Sequence, residues 1–359
     1  MFEKEMTPSQ RVHAAVSFQE PDRVPFFLLL TMHGAKELGL SIRDYFSKAE
    51  YVAEGQLRLQ AKYRHDCLYT FFYAAVEVEA WGSDVLYVEN GPPNAGAPLI
   101  RQKEDILSLS PPNVDKAPSL IKVLRTQEML KAKVGSQVPI IGVVISPFSL
   151  PVMQLGFDRY IELLYENPDL FERLMTINEK FCVEWANAQL RAGATTICYF
   201  DPVSSSTIIP PDMYLRTGFP VAQRTLAKIK GPTATHMASG ICRPIMDQLA
   251  LTGTKIVGVS GAENLGALKK SSSGKVALMG NLNGIEMRRW DAKHTEEVVR
   301  NAIAQGGPGG GYILSDAHGE IPFQVPDEVL VTISETVHKH GQYPLEAGDR
   351  SGSDGTEQR

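Results

Sequence analysis

Two short segments join an apolar run to residues that could do chemistry. Residues 234–240 read Ala-Thr-His-Met-Ala-Ser-Gly and contain His236, and residues 311–319 read Gly-Tyr-Ile-Leu-Ser-Asp-Ala-His-Gly and contain Asp316 and His318. Imidazoles delivered at the ends of two buried strands can bind a metal ion or transfer protons. The sequence therefore predicts a metal or acid–base site that includes both histidines.

The elements that would position these residues follow from the hydrophobic pattern. Short apolar, β-branched or aromatic runs alternate with longer helical patterns, which is typical of βα units around a parallel sheet. Eight such runs predict strands, at 24–30, 67–72, 139–145, 195–200, 232–237, 255–259, 276–280 and 311–315. Eight strands close a barrel, so the expected fold class is α/β, a (β/α)8 TIM barrel.

Helices are predicted in the intervals between these strands. Their ranges are 42–63 with Ser41 as N-cap, 168–192, 211–229, 242–251, 262–270, 295–304 and 327–340. Prolines break the pattern between residues 84 and 134, which favours an insertion after the second strand with a hairpin from Val85 to Val88. We expect one barrel domain over residues 1–345 and a disordered tail over 346–359.

Composition excludes several functions. The formal net charge of -5 and the lack of a Lys/Arg stripe argue against nucleic-acid binding. The four cysteines form no C-x-x-C pair, and the N-terminus lacks an apolar stretch of the signal-peptide type. The apolar run at 24–30 is far shorter than the roughly 20 residues that cross a bilayer. We therefore expect a cytoplasmic protein with free thiols and no membrane span.

Polar side chains follow most of the predicted strands. Barrel active sites form at the carboxyl ends of the strands, so these side chains predict one concave site at that mouth. They are Thr31, His33, Tyr73, Ser146, Asp201, His236, Ser260, Glu263, Asn281, Asn283, Asp316 and His318. Glu77 and Glu79 would share a face on a strand and diverge on a helix, which leaves a catalytic and a capping role both open.

With these residues in view, the chain resembles the uroporphyrinogen decarboxylase superfamily, whose other large branch is the corrinoid-dependent methyltransferases. The resemblance covers nearly the whole chain and implies a (β/α)8 barrel, in agreement with the strand count. It rests on four segments: Asp-Arg-Val-Pro at 22–25, Val-Glu-Val-Glu-Ala-Trp-Gly at 76–82, Met-Gly-Asn-Leu at 279–282 and Gly-Tyr-Ile-Leu at 311–314.

The decarboxylase branch matches poorly at its substrate-binding positions. Its members carry an arginine-rich segment after the first strand, which holds the porphyrinogen carboxylates, and an aspartate after the second strand. This chain reads Thr-Met-His-Gly-Ala-Lys at 31–36 and places Tyr73 at the aspartate position. A substrate with many carboxylates would meet no arginine fork there.

The methyltransferase branch implies a zinc site. Its thiol-methylating members bind zinc through an H-x-C pair after the fifth strand and a cysteine after the eighth. Here His236 matches the first ligand, Ala238 replaces the first cysteine, and His318 stands at the second cysteine position. Two imidazoles in place of thiolates leave zinc more Lewis-acidic, which suits an oxygen or nitrogen leaving group. The third ligand stays open among Glu77, Asp201, Glu263, Asp316, Glu320 and His33.

The resemblance thus implies a corrinoid-dependent methyltransferase that moves a methyl group between a small methylated substrate, for example an O-methyl ether, and a corrinoid on a separate partner protein. Zinc on His236 and His318 would activate the leaving group. Asp201, Glu263 and Asp316 are the predicted catalytic residues, and His33, Tyr73, Ser146 and Asn281 the predicted substrate-binding residues. Two alternatives stay open: a metal-free decarboxylase-like lyase that uses His318 and Asp201 for proton transfer, and a barrel that binds a tetrapyrrole or corrinoid without catalysis.

Overall fold

The structure is a computed structural model that describes residues 5–345. Nine strands are numbered in chain order, and the predicted strand positions are confirmed for seven of the eight runs. The strands are β1 (Leu68–Tyr69), β2 (Val85–Leu86), β3 (Asn94–Ala95), β4 (Ile140–Ile145), β5 (Thr196–Phe200), β6 (Thr233–His236), β7 (Ile256–Gly258), β8 (Ala277–Leu282) and β9 (Tyr312–Asp316).

Fifteen α-helices lie among the described residues. They are α1 (Pro8–Val16), α2 (His33–Leu38), α3 (Ile42–Tyr45), α4 (Ala49–Tyr63), α5 (Val76–Ala80), α6 (Pro118–Val134), α7 (Pro151–Leu155), α8 (Phe157–Glu166), α9 (Pro168–Ala192), α10 (Pro211–Arg216), α11 (Gly218–Leu226), α12 (Met246–Leu251), α13 (Leu265–Ser272), α14 (Ala292–Gly306) and α15 (Asp327–His340). Short 3-10 helices lie at Lys103–Leu107, Pro202–Ser204, Arg243–Ile245 and Glu286–Arg289.

Seven strands form one curled parallel sheet in the order β1-β4-β5-β6-β7-β8-β9. Every residue of β4 and of β9 is buried, as expected for parallel strands covered on both faces. The register places Phe200 beside His236 and His236 beside Gly258. These three residues therefore form one row at the carboxyl ends of neighbouring strands.

The predicted first strand, 24–30, closes the ring but is not a regular strand. Phe26 forms a parallel bridge with Leu314, where the Phe27 amide donates to the Leu314 carbonyl at 2.8 Å. On the other side the Asp66 amide, just before β1, donates to the Phe26 carbonyl at 2.9 Å. Pro25 has no N–H to give to a ladder, which limits pairing here to a bridge. The structure confirms the α/β barrel expected from the sequence, with residues 24–30 in the place of an eighth strand.

Helix boundaries follow local signals. Pro168 begins α9 and Gly193, with a φ of 119°, ends it, so the predicted range 168–192 is confirmed. The predicted helix 42–63 is instead two helices. Ser41 caps α3 as expected, but the Ser47 hydroxyl and amide both bond the Asp44 carbonyl and end that helix before α4 begins.

The insertion after β1 contains a hairpin that begins at Val85 as expected but is longer than the predicted range 85–88, since its second strand is β3 at Asn94–Ala95. β2 pairs antiparallel with β3, and the Gln324 side-chain amide from the loop after β9 donates to the Asn90 carbonyl at the hairpin turn. The hairpin therefore connects the insertion after β1 with the loop that follows β9.

Further expectations concern membrane spans, the cysteines and the extent of the domain. None of their helices has the length and apolarity needed to span a membrane. All four cysteines are buried and unpaired. The one-domain assignment stays a prediction, and the expected tail at 346–359 lies outside the described residues.

Candidate active site

His236, the last residue of β6, is fully buried at the mouth of the barrel. Its ring stacks on Phe200 with centroids 5.2 Å apart and an interplanar angle of 19°, and Phe200 stacks in turn on Phe71. The Ala238 amide donates to Nδ1 at 2.9 Å, whereas Nε2 is buried without a hydrogen-bond partner. The imidazole is thus one member of an aromatic row with a single nitrogen left unused.

Asp316 ends β9 and shapes the turn that carries His318. Its Oδ2 accepts hydrogen bonds from the amides of His318 and Gly319, each at 2.8 Å, while Oδ1 is buried without a partner. Burial raises the pKa of Asp316 to about 6, against the opposing effect of those amides. Asp316 is therefore a carboxyl that can hold a proton close to neutral pH.

Glu320 follows in the same turn. Its carboxylate accepts a hydrogen bond from the Thr31 hydroxyl, at the end of the first barrel segment. Burial raises the pKa of Glu320 to about 7, and the nearby charge of Asp316 adds to this increase. The Tyr69 hydroxyl, on β1, donates to the Gly319 carbonyl at 2.9 Å and helps to hold the turn.

The two histidines lie close enough to influence each other. Burial, and then His318, lowers the pKa of His236 to about 3, and burial lowers the pKa of His318. Nδ1 of His318 is buried without a partner. Both rings are therefore neutral at physiological pH, and together with Asp316 and Glu320 they make up what we call the mouth cluster.

The zinc expected on His236 and His318 does not fit the described residues as they stand. They contain no group of three or more His, Cys, Asp or Glu side chains arranged to hold a metal ion. A histidine that ligates zinc through Nε2 usually donates its Nδ1–H to an acceptor. Here Nδ1 faces the Ala238 N–H, which is a donor.

Asp201 and Ser146, predicted for catalysis and substrate binding, bond each other behind the barrel wall. Oδ1 of Asp201 accepts from the hydroxyls of Ser146 at 2.5 Å and Ser149 at 2.7 Å, and all three residues are buried. The Asp201 charge contributes, after burial, to raising the pKa of Tyr160 and of Tyr214. Asp201 is thus surrounded by residues of the helical layer, and its oxygen Oδ1 is occupied.

Glu263 and Asn281 are also occupied by protein contacts. Glu263 accepts from the amides of Cys242 at 3.1 Å and Arg243 at 2.8 Å, at the start of the 3-10 helix Arg243–Ile245. The side-chain amide of Asn281 donates to the backbone carbonyls of Ser260 and Glu263, both at 3.0 Å. These contacts are those of a helix cap and a loop brace.

His33 and Tyr73 lie apart from the mouth cluster. His33 is buried edge-on against Phe323, and burial lowers its pKa to about 3. The Tyr73 hydroxyl donates to Glu79 at 2.7 Å, below the hairpin residue Tyr87. Roles for these six residues in binding or catalysis stay predictions, whereas the structure brings together His236, His318 and Asp316.

Some residues of the site were not among the predicted ones. Phe200 and Tyr69 line it, and Gly258 and Gly319 pack against the His236 ring. The signal for Phe200 is the alternation along β5, which places Phe200 and Asp201 on opposite faces. Choosing the first polar residue after each strand ignores that alternation.

Buried glutamate is present elsewhere too. Glu77 lies on helix α5, so Glu77 and Glu79 do not share a strand face. Oε1 of Glu77 accepts from the Ile145 amide at 2.8 Å, and burial raises the pKa of this carboxyl to about 8. It ties α5 to the end of strand β4, which is neither the solvated nor the helix-capping role left open by the sequence, and a catalytic role stays a prediction.

Among the described residues, no Lys or Arg side chain contacts the mouth cluster. Lys36, the single cation of residues 31–38, bonds the Phe323 carbonyl and lies 4.5 Å from the centroid of that ring. Arg11 and Arg23 pair with Asp66, at the amino ends of the strands. The cluster therefore offers acids and neutral imidazoles to a ligand.

Comparison with known proteins gives one family match. A family model described as "Uroporphyrinogen decarboxylase (URO-D)" matches residues 7–340. Uroporphyrinogen decarboxylase of Cupriavidus necator is 26% identical in an alignment of 314 positions that covers 84% of this chain and 85% of that protein. The enzyme of that name from Xylella fastidiosa is 24% identical in an alignment of 350 positions that covers 91% of this chain and 98% of its own length.

Solved structures support the same fold. A methyltransferase from Methanosarcina mazei superposes with a TM-score of 0.83 at 20% identity, covering 93% of this chain and 99% of that one. A B12-independent methionine synthase from Shewanella sp. reaches a TM-score of 0.51 at 13% identity, over 81% of this chain and 88% of its own. At these identities the likeness extends to the fold alone.

Proposed function

Because the chain belongs to the uroporphyrinogen decarboxylase family, we propose that it is an enzyme, and that its reaction is methyl transfer from a small methylated donor to a corrinoid on a separate protein. The observation that carries the proposal is the charge of the mouth cluster. Asp316 and Glu320 place two carboxyls there, and Lys36 is engaged with Phe323 outside it.

A donor without negative charge suits this cluster better than a porphyrinogen. Each carboxylate of such a substrate would approach two protein carboxyls without a guanidinium to pair with, and like charges at short range are unfavourable. The stacked rings of Phe71, Phe200 and His236 offer apolar contact area instead.

The mouth cluster can supply the proton that methyl departure requires. When an O-methyl donor loses its methyl group, its oxygen keeps the bonding electron pair and must be protonated or held by hydrogen-bond donors. A carboxyl with a pKa near 6 or 7, such as Asp316 or Glu320, is suited to give that proton at neutral pH and to regain it from water. A corrinoid in its Co(I) state would supply the nucleophile that accepts the methyl group.

The test is methylation of cob(I)alamin, followed by visible absorption, over a panel of O-, N- and S-methyl donors. We expect turnover with an oxygen donor, and a loss on the order of 100-fold in kcat for Asp316→Asn and for Glu320→Gln. Glu335→Gln, on the exposed side of α15, is the matched control and should be unchanged.

A carboxy-lyase reaction is the second candidate, favoured by the sequence relatives that carry the decarboxylase name. Release of carbon dioxide from a porphyrinogen carboxylate, with a proton taken up at the carbon and no methylation of cobalamin by any donor, would replace the first proposal with this one. Both reactions should be assayed on the same preparation.

A further inference from the structure

The His236 ring is fixed in one orientation by contacts on its face and edges. Phe200 covers one face at 5.2 Å. A Cβ added at Gly258 would lie 2.4 Å from Cδ2 of His236, and one added at Gly319 would lie 3.3 Å from Cε1. The first distance excludes any side chain at Gly258, and the second would be a tight contact at Gly319. The backbone therefore lies close to two edges of the ring. Rotation of the ring in place would need these walls to move.

The remaining edge is set by Ala238. This residue has a φ of 50°, in the left-handed region that alanine rarely occupies, and its amide donates to Nδ1 of His236 at 2.9 Å. Nδ1 must therefore carry a lone pair. The ring hydrogen of the neutral imidazole then resides on Nε2, which makes Nε2 a donor.

A ligand role for His236 on zinc would reverse this arrangement. Zinc binds the lone pair of a ring nitrogen, and Nδ1 is already occupied by the Ala238 amide. If Nε2 bound zinc, the hydrogen would move to Nδ1 and face the Ala238 N–H, so that two donors would oppose each other without an acceptor. Leaving two buried donors unpaired is unfavourable.

We infer that His236 is not a zinc ligand in this chain but a fixed hydrogen-bond donor, which offers Nε2–H to an oxygen or nitrogen acceptor atom of the bound substrate. Nε2 is buried beside His318 and finds no acceptor among the described residues, so this donor is left without a protein partner. The residue that replaces a family cysteine, Ala238, supplies the N–H that sets the tautomer. The inference applies to a methyl donor and to a carboxylate substrate alike and does not rest on the reaction proposed above.

The first test needs no substrate. Nitrogen-15 NMR of the imidazoles, with the His236 signals identified by their loss in His236→Gln, reports which ring nitrogen carries the hydrogen. We expect the hydrogen on Nε2 and a bare Nδ1 hydrogen-bonded to an amide. A His236 signal with the hydrogen on Nδ1 would overturn the inference.

Zinc binding is measured on the same protein by metal analysis and by calorimetric titration with zinc chloride. Wild type, His236→Ala and the exposed-histidine control His294→Ala should take up equally little zinc. One tightly bound zinc per chain that is lost only in His236→Ala would overturn the inference, whatever activity the protein shows.

Two substitutions separate donor from ligand once a substrate is found. His236→Gln places an amide N–H near the position of Nε2 but is a poor zinc ligand, whereas His236→Ala has neither property. We expect kcat/KM within about tenfold of wild type for the glutamine variant and roughly 100-fold lower for the alanine variant. An equal loss in both variants, together with wild-type activity that depends on added zinc, would contradict a donor role.

Discussion

At the scale of single residues, the acidity of the mouth cluster is set by burial. Asp316 and Glu320 are carboxyls whose pKa values rise to about 6 and about 7 because they are removed from water, and the hydrogen bonds that they accept offset this increase only in part. Neighbouring carboxyls also titrate together, since protonation of one favours ionisation of the other. The pair can therefore hold one proton over the neutral range.

This acidity predicts a pH effect on stability. A carboxyl whose pKa is higher in the folded state than in the unfolded chain stabilises the fold below the unfolded value near 4, and that contribution is lost as pH rises through about 7. Glu320→Gln removes the titration. We expect the melting temperature of this variant, relative to wild type, to be higher at pH 8 than at pH 5.

The measurement is thermal unfolding followed by circular dichroism at both pH values. Glu335→Gln is the control, because its side chain is exposed and should show the same difference from wild type at each pH. A relative melting temperature for Glu320→Gln that is constant between pH 5 and pH 8 would mean that Glu320 titrates normally.

At the scale of elements, a carboxylate in the loop after β7 caps the short helix in the loop after β6. Glu263 follows β7 in the chain, yet its two oxygens accept the amides of Cys242 and Arg243 that precede α12. Exposed amides at a helix start are unpaired within the helix and favour a negative charge. The cap therefore links the loops that follow β6 and β7.

Glu263→Ala should consequently lower stability more than catalysis. Loss of the cap is expected to reduce the free energy of unfolding by about 1–2 kcal/mol, with kcat per folded molecule changed by no more than a few-fold. Urea unfolding and an activity assay on the same preparation measure both. The exposed Glu297→Ala on α14 is the control. A kcat reduced 100-fold at unchanged stability would restore the catalytic role predicted from sequence.

At the scale of the whole molecule, barrel closure depends on a buried ionic cluster at the amino ends of the strands. Asp66 accepts hydrogen bonds from Arg11 at 2.7 Å, Arg23 at 2.7 Å and the Phe26 amide at 2.9 Å, and its side chain is fully buried. Phe26 is also the residue that bridges to Leu314 of β9. Asp66 therefore joins residues 24–30, the first segment of the barrel, to the start of β1.

Asp66→Asn should be strongly destabilising. The substitution leaves the buried Arg23 guanidinium without its charge partner, whereas Arg11 keeps Asp22 at 2.6 Å, and breaking a buried pair from one side costs about 3–5 kcal/mol. Asp327→Asn is the matched control, because Asp327 pairs with Lys62 at the surface and should change the free energy of unfolding by about 1 kcal/mol or less. Equal urea midpoints for the two variants would show that closure does not depend on Asp66.

Particular elements show how far sequence patterns reach. The strands around β4, β5 and β9 and the helices α9 and α15 were predictable because each has a long apolar pattern with clear end signals. The hairpin at β2 was predictable from its flanking prolines and glycines. The split between α3 and α4 was not, because it depends on a bond from Ser47 that helical periodicity does not reveal.

The sequence by itself determined the barrel, the approximate positions of seven of its strands and the pairing of His236 with His318. Only the tertiary structure decided which polar residues share the mouth and which, such as Asp201 and Glu263, satisfy other parts of the chain. It also decided the tautomer of His236 through the Ala238 amide. The physical reason is that periodicity encodes the face and order of elements, whereas burial and hydrogen bonding depend on neighbours far apart in the chain.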